Sequence, residues 1–367
     1  MKTVCQGREC TGCKACVNVC AHKAIRIADN MKWLDAVIDE SLCVDCGLCT
    51  QVCPNNTPVQ KRPSVSWKQG WAADEGLRMQ GSSGGVASAL TDKFIRSGGY
   101  VCSCLFEDGK FVFRCTNDLE TAKKFAGSKY VKSDPGEVYK EVKSLLAGGE
   151  KCLFIGLPCQ VAALYNYVPN KLQEKLYTAD LICHGTPSAK LFALYLKQNR
   201  FEEAQAKSIQ FRQKTGMGLK LDGRAVTVSG AVDRWLLSFL NALNYTDHCY
   251  SCQYAAPERV ADLTLGDHWG TEKASETAKG VSLILPQTEK GEILMELAEL
   301  TVFDADKEKA LTSNGNLRRP SVAPAGREAF FAELEKGKNY NKLVMKSFPK
   351  QCWRQNIKAL AIRLGLR

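Results

Sequence analysis

The sequence predicts an α+β unit organised on two cysteine runs, followed by a larger α/β unit with a mixed sheet. Three observations carry this reading. A four-cysteine spacing occurs twice near the start, strand–turn–helix text fills the middle of the chain, and 18 cysteines among 367 residues call for metal chemistry. Residues 10–20 read Cys10-x2-Cys13-x2-Cys16-x3-Cys20, and residues 43–53 read Cys43-x2-Cys46-x2-Cys49-x3-Cys53, followed by Pro54. A cubane cluster needs four thiolates around one small volume. A tight loop supplies three of them, and the chain returning from elsewhere supplies the fourth.

This is the spacing of bacterial two-cluster ferredoxins, where the last cysteine of each run serves the other cluster. The predicted ligand sets are Cys10, Cys13, Cys16 and Cys53 for one 4Fe-4S cluster, and Cys43, Cys46, Cys49 and Cys20 for the second. Structural zinc takes separate CxxC pairs, and disulfides need an oxidising compartment, so neither explains the repeat. Cys20 precedes Ala21 where the pattern usually has proline, a change to the following turn and not to a ligand.

Composition bounds the rest. A 45% hydrophobic chain of this length can bury a sizeable core in two or three domains. The formal charge of +11 points at first to nucleic acid. Each cluster with its thiolates brings about −2, so three would lower the total to about +5, and nucleic acid is not the expected partner. The basic surface suits an acidic electron carrier, since complementary charge speeds encounter. The start runs from Met1 straight into the first motif with no apolar stretch, and no run approaches a membrane span. The expectation is a reduced, cytoplasmic protein with no transmembrane segment.

In chain order, residues 1–56 form the two-cluster unit, with strands at Ala24–Ile27 and Ala36–Asp39, and 57–66 read as a Pro-rich linker. Residues 67–345 form the main domain. Its Gln80–Gly85 run (QGSSGG) precedes a helical pattern, which places small residues at a helix N-terminus. That is either a loop before a helix or an anion site. A hairpin is expected over Val101–Phe106 and Lys110–Cys115, where Cys102, Cys104 and Cys115 read as buried small hydrophobes. A helix should cover Gly136–Ala147.

Strand 152–155 runs into Gly156-Leu157-Pro158-Cys159-Gln160 and a helix to Tyr167. Strand Thr178–Ile182 runs into Cys183-His184-Gly185-Thr186-Pro187 and a helix over Ala189–Asn199. Both units carry a cysteine at the carboxyl end of a strand, where α/β sheets collect ligands. Cys249-x2-Cys252 is compatible with a redox dithiol, half a zinc site or half a cluster site. The basic tail 346–367 reads as a solvated terminal helix.

The motifs QGSSGG, Gly127–Val131 (GSKYV), GLPCQ, Asp180–Pro187 (DLICHGTP), Cys249–Cys252 and Leu265–Gly270 (LGDHWG) together resemble the coenzyme F420 hydrogenase/dehydrogenase beta-subunit family. The resemblance runs from residue 10 to about 335. It implies an α/β flavin-binding domain that holds FAD. Gly81, Ser82, Ser83, Gly84, Gly85, Ser128, Lys129, Tyr130, Gly156, Asp267 and Trp269 would then contact the cofactor. Cys159, Cys183, Cys249 and Cys252 would ligate a third 4Fe-4S cluster.

Lys129, His184, His268 and Arg259 are candidates to hold an anionic substrate or move a proton, and His268, His184 and Lys129 are the expected catalytic residues. Leu157 stands where relatives commonly carry threonine. The implied activity is an FAD and iron–sulfur oxidoreductase. It would pass electrons between a ferredoxin or similar redox protein and a small organic substrate or deazaflavin-like coenzyme. An electron-transfer subunit of a larger redox complex is the alternative, and homo-oligomers are compatible with either.

Overall fold

The computed structural model describes residues 2–202 and 206–366. The N-terminal unit pairs β1 (Ile25–Asp29) with β2 (Leu34–Ile38) antiparallel, and short helices at Ala15–Val19 and Leu48–Gln51 follow the two cysteine loops. An eight-stranded mixed sheet follows. Its strands are β3 (Lys68–Ala72), β4 (Tyr100–Glu107), β5 (Lys110–Thr116), β6 (Cys152–Gly156) and β7 (Leu176–Leu181), with three more from the second half of the chain. A small three-stranded sheet, β8 (Ile209–Gln213), β9 (Gly216–Leu221) and β10 (Arg224–Ala225), intervenes in sequence. The large sheet is then completed by β11 (Leu263–Asp267), β12 (Ser282–Pro286) and β13 (Leu300–Asp304), in the order β13-β3-β12-β11-β7-β6-β4-β5.

The centre of that sheet is parallel, β11-β7-β6-β4, and its flanks are antiparallel. The mixed α/β architecture expected from the strand–turn–helix text is the one observed. Side chains alternate across the sheet as strand geometry requires. Leu153 and Ile155 of β6 pack with the helix Val86–Arg96 on one face, while Cys152 and Phe154 pack with Val138, Tyr139 and Val161 on the other.

Helices at Val138–Ala147 and Pro158–Tyr167 cover that second face. The N-terminal unit leans on the same helices, so Ala15, Cys16 and Val52 share one core with Tyr139 and Val161. A separate core joins the small sheet to Trp235, Phe330 and Tyr340.

The segment read as a linker makes hydrogen bonds to the main domain. Arg62 and Arg259 exchange backbone hydrogen bonds, and Val65 N donates to Pro286 O at 2.8 Å. Prolines break the regular ladder but leave the remaining amides free to bond. Cys102 and Cys115, expected as lone buried thiols, face each other across β4–β5 and are joined as a disulfide. Among the described residues, no helix is long and apolar enough to cross a membrane.

Candidate functional site

The two cysteine runs repeat in backbone as well as in sequence. The third and fifth positions of each run take left-handed φ, at Gly12 and Lys14 in the first and at Asp45 and Gly47 in the second. That double reversal turns the loop back on itself and ends at a short helix carrying Cys16 or Cys49. At Gly12 a Cβ would lie 2.5 Å from Leu34 Cδ1, so a side chain is excluded as well as strained. The predicted first set, Cys10, Cys13, Cys16 and Cys53, is buried together, whereas Cys46 is exposed and Cys20, Cys43 and Cys49 are half-buried. Cys5, given no role by the spacing, places its Sγ 3.2 Å from that of Cys53.

The carboxyl ends of β6 and β7 converge with the 249–255 segment on a cavity of about 240 Å³. Cys159, Cys183, Cys249 and Cys252 all line it, and Glu9 and Thr11 close it from the N-terminal unit. The cysteine loops are held by a buried ion pair. Arg259 bonds Asp180 Oδ1 at 3.0 Å, Tyr254 O at 2.6 Å and Leu181 O at 3.1 Å. Those contacts tie the strand leading to Cys183 to the turn after Cys252. Arg259, expected at the substrate, is therefore a structural brace, because its donors are spent on the scaffold.

Burial disfavours the Cys249 thiolate, but His248 at 3.3 Å, Lys132 and the Thr186 amide outweigh it and bring the thiol down to about 6. Lys132 is buried at the same cavity. Burial works against its charge, yet Cys159, Cys249, Cys183 and Cys13 raise its pKa on balance. Neither Lys132 nor His248 was singled out from sequence. His248 had a signal, since the chain has four histidines and one adjoins the CxxC. Lys132 had none among 50 Lys and Arg.

A second cavity of about 520 Å³ opens beside the first, and the two share Leu157, Cys183, His184, Gly185 and Thr186 as walls. Gly81, Ser82, Ser83 and Gly85 line it at the start of the helix Val86–Arg96. Gly85 has φ +77°, and a Cβ there would sit 2.5 Å from Arg78 Cα. That helix has no side-chain cap, so its first amides remain available. Gly84 instead turns against β3, where a Cβ would meet Gly70 O at 2.5 Å. Ser128 N donates to Ser82 Oγ at 2.8 Å, which locks the 127–131 loop to the glycine loop. Tyr130 packs its ring, tilted, against Phe239 at 4.4 Å between centres along the wall.

Asp267 reaches this cavity but is held by Arg212 through bonds of 2.6 and 2.9 Å, and the guanidinium lies 4.9 Å from the Trp269 ring centre. Arg212 was not anticipated from sequence. Lys129 lines the cavity, yet its ammonium donates to Phe125 O and Ala126 O at 2.6 and 3.0 Å. Burial lowers its pKa to about 8. His184 faces both cavities, and burial keeps its ring below the ordinary imidazole pKa.

His268 is not brought to either cavity. It follows the end of β11, is buried, and has Glu272 and Asp306 as charged neighbours. Leu157 occupies the N-cap of the helix Pro158–Tyr167 and supplies no cap oxygen. Gln160 Oε1 accepts from Leu157 N at 2.9 Å and covers half of a capping box.

The fold and sites define an iron–sulfur redox protein: a two-cluster unit packed on a mixed α/β domain. Residues 9–57 match the model of a 4Fe-4S dicluster domain. Residues 149–308 match the model of the C-terminal part of the coenzyme F420 hydrogenase/dehydrogenase beta subunit. No curated protein matches the chain. A chain of the xenon-derivatised F420-reducing NiFe hydrogenase complex from Methanosarcina barkeri has a similar fold. It is 16% identical with a TM-score of 0.50, over 70% of this chain and 91% of that one.

Proposed function

We propose that the chain is an iron–sulfur flavoprotein oxidoreductase acting on a small organic substrate or deazaflavin-like coenzyme. Electrons are exchanged with a redox protein at the N-terminal unit. The observation that carries the reading is the shared wall. A cavity lined by four thiols touches the two-cluster unit on one side and a cofactor-sized cavity on the other.

The residues present fit both groups. Four thiols with a buried Lys132 and the Thr186 amide suit a third 4Fe-4S cluster, whose charge of about −2 calls for cationic and N–H neighbours. The larger cavity falls within the range of about 300–1,000 Å³ typical of small-molecule sites. Its uncapped helix start and the close backbone approach at Gly81 and Gly85 suit the pyrophosphate of FAD. When bound, FAD exchanges two electrons with an organic substrate and single electrons with a cluster.

The chain's own residues do the rest. The Gly81–Gly85 loop fixes the anion, and Tyr130 and Phe239 exclude water along the wall. The Arg212–Asp267 pair presents a fixed polar edge beside Trp269. His184, kept neutral by burial and open to the cavity, is placed to hold or release a proton. Leu42, Val44 and Leu48 are exposed around Cys43 and Cys46, an apolar rim suited to a docking electron carrier.

The test is anaerobic reconstitution with iron and flavin counted, followed by coenzyme F420, NAD(P)H and reduced ferredoxin as donors. About twelve irons and one flavin are expected. About eight irons and no flavin would overturn the reading. Turnover of a small substrate by the isolated chain separates an enzyme from a relay subunit.

A further inference from the structure

We propose that the outward face of the helix Pro349–Arg363 docks the protein on an anionic lipid bilayer. Trp353, Ile357, Leu360 and Leu364 are 68%, 48%, 56% and 64% exposed. Their spacing of four, three and four residues places them in one narrow stripe. The stripe is not core displaced outward, because the helix is already anchored by its other face. Cys352 is fully buried, Gln355 Oε1 accepts from Val232 N at 2.9 Å, and Asn356 Oδ1 accepts from Arg234 at 2.6 Å. The apolar stripe is thus held away from the body in a fixed orientation.

Charge selects the occupant. Residues 336–367 contain nine Lys and Arg and no Asp or Glu. On the helix, Lys350, Arg354 and Lys358 flank one side of the stripe and Arg363 flanks the other. A narrow apolar stripe with a tryptophan, bordered by cations, is the make-up of a helix lying in the headgroup plane of anionic lipid. A twofold pairing with a second copy would set this basic face against itself. A typical protein-interface core is depleted in lysine.

The face also continues towards the large cavity. Asn241 bonds Gln351, and the neighbouring Leu240 is 54% exposed and lines that cavity. A chain docked here holds the cavity rim next to the headgroups.

The experiment is co-sedimentation of the full chain with vesicles of mixed phosphatidylglycerol and phosphatidylcholine, and with phosphatidylcholine alone. The expected result is binding to the anionic vesicles only, released by high salt. Binding should weaken about tenfold or more in Trp353→Ser/Leu360→Ser and in Arg354→Glu/Lys358→Glu. These exposed side chains support no core, so the melting temperature should not change. The proposal is overturned if the wild type stays in the supernatant with anionic vesicles at low salt, or if both variants bind undiminished. It is also overturned if size exclusion shows a dimer, or a complex with an acidic protein, that the stripe substitutions dissociate.

Discussion

The two-cluster unit and the thiol cavity both gather cysteine thiols, and they do so in opposite ways. In the first, each cluster takes three cysteines from one loop, bent by two left-handed residues at matching positions. In the second, four cysteines come from three loops, set at the ends of β6 and β7 and in the 249–252 turn. A contiguous loop encodes its own geometry. A cavity built from distant loops depends on the scaffold beneath it, and here that scaffold is the Asp180–Arg259 pair.

The difference can be broken by removing one partner of that pair. Both groups are essentially inaccessible, so Asp180→Ala leaves a buried charge unpaired and should cost about 3–5 kcal/mol by chemical denaturation. The matching change in the two-cluster unit, Lys2→Ala, removes an exposed pair with Asp45 and should leave the denaturation midpoint unchanged. Equal losses would mean that the two regions are braced alike.

Glycines extend the contrast. Gly85→Val adds a Cβ against Arg78 at a positive φ beside the large cavity. It should cost about 1–3 kcal/mol and abolish flavin retention, read from visible absorbance after purification. Gly7 also has positive φ, but nothing lies within 4 Å of its Cβ position, so Gly7→Ala should cost less and retain the flavin.

The smallest effect concerns charge. Lys132→Gln removes the buried cation at the thiol cavity. It should lower the midpoint potential of the proposed third cluster by about 59 mV, a tenfold change for one electron. Lys132→Arg should restore it, and the potentials of the two N-terminal clusters should shift less.

These contrasts also explain what the sequence could disclose. The eight N-terminal cysteines were legible because three ligands of each predicted set are contiguous in one short loop and the spacing repeats. The helices at Val138–Ala147 and Pro158–Tyr167 and the parallel strands were legible from periodicity and from the turns that end them. Lys132 and Arg212 were not, because a buried functional cation has the same letter as the surface ones. His268 illustrates the converse: its motif is intact, but it is not among the residues that line the cavity with Asp267 and Trp269. Arg259 likewise sits in a motif-rich stretch and serves the scaffold.

The most direct measurement is the iron content and Mössbauer spectrum of the anaerobically reconstituted wild type beside Cys159→Ser. The account predicts about twelve irons falling to about eight, with the spectra of the two N-terminal clusters unchanged. About eight irons in both proteins would contradict it and leave the four converging thiols to another chemistry.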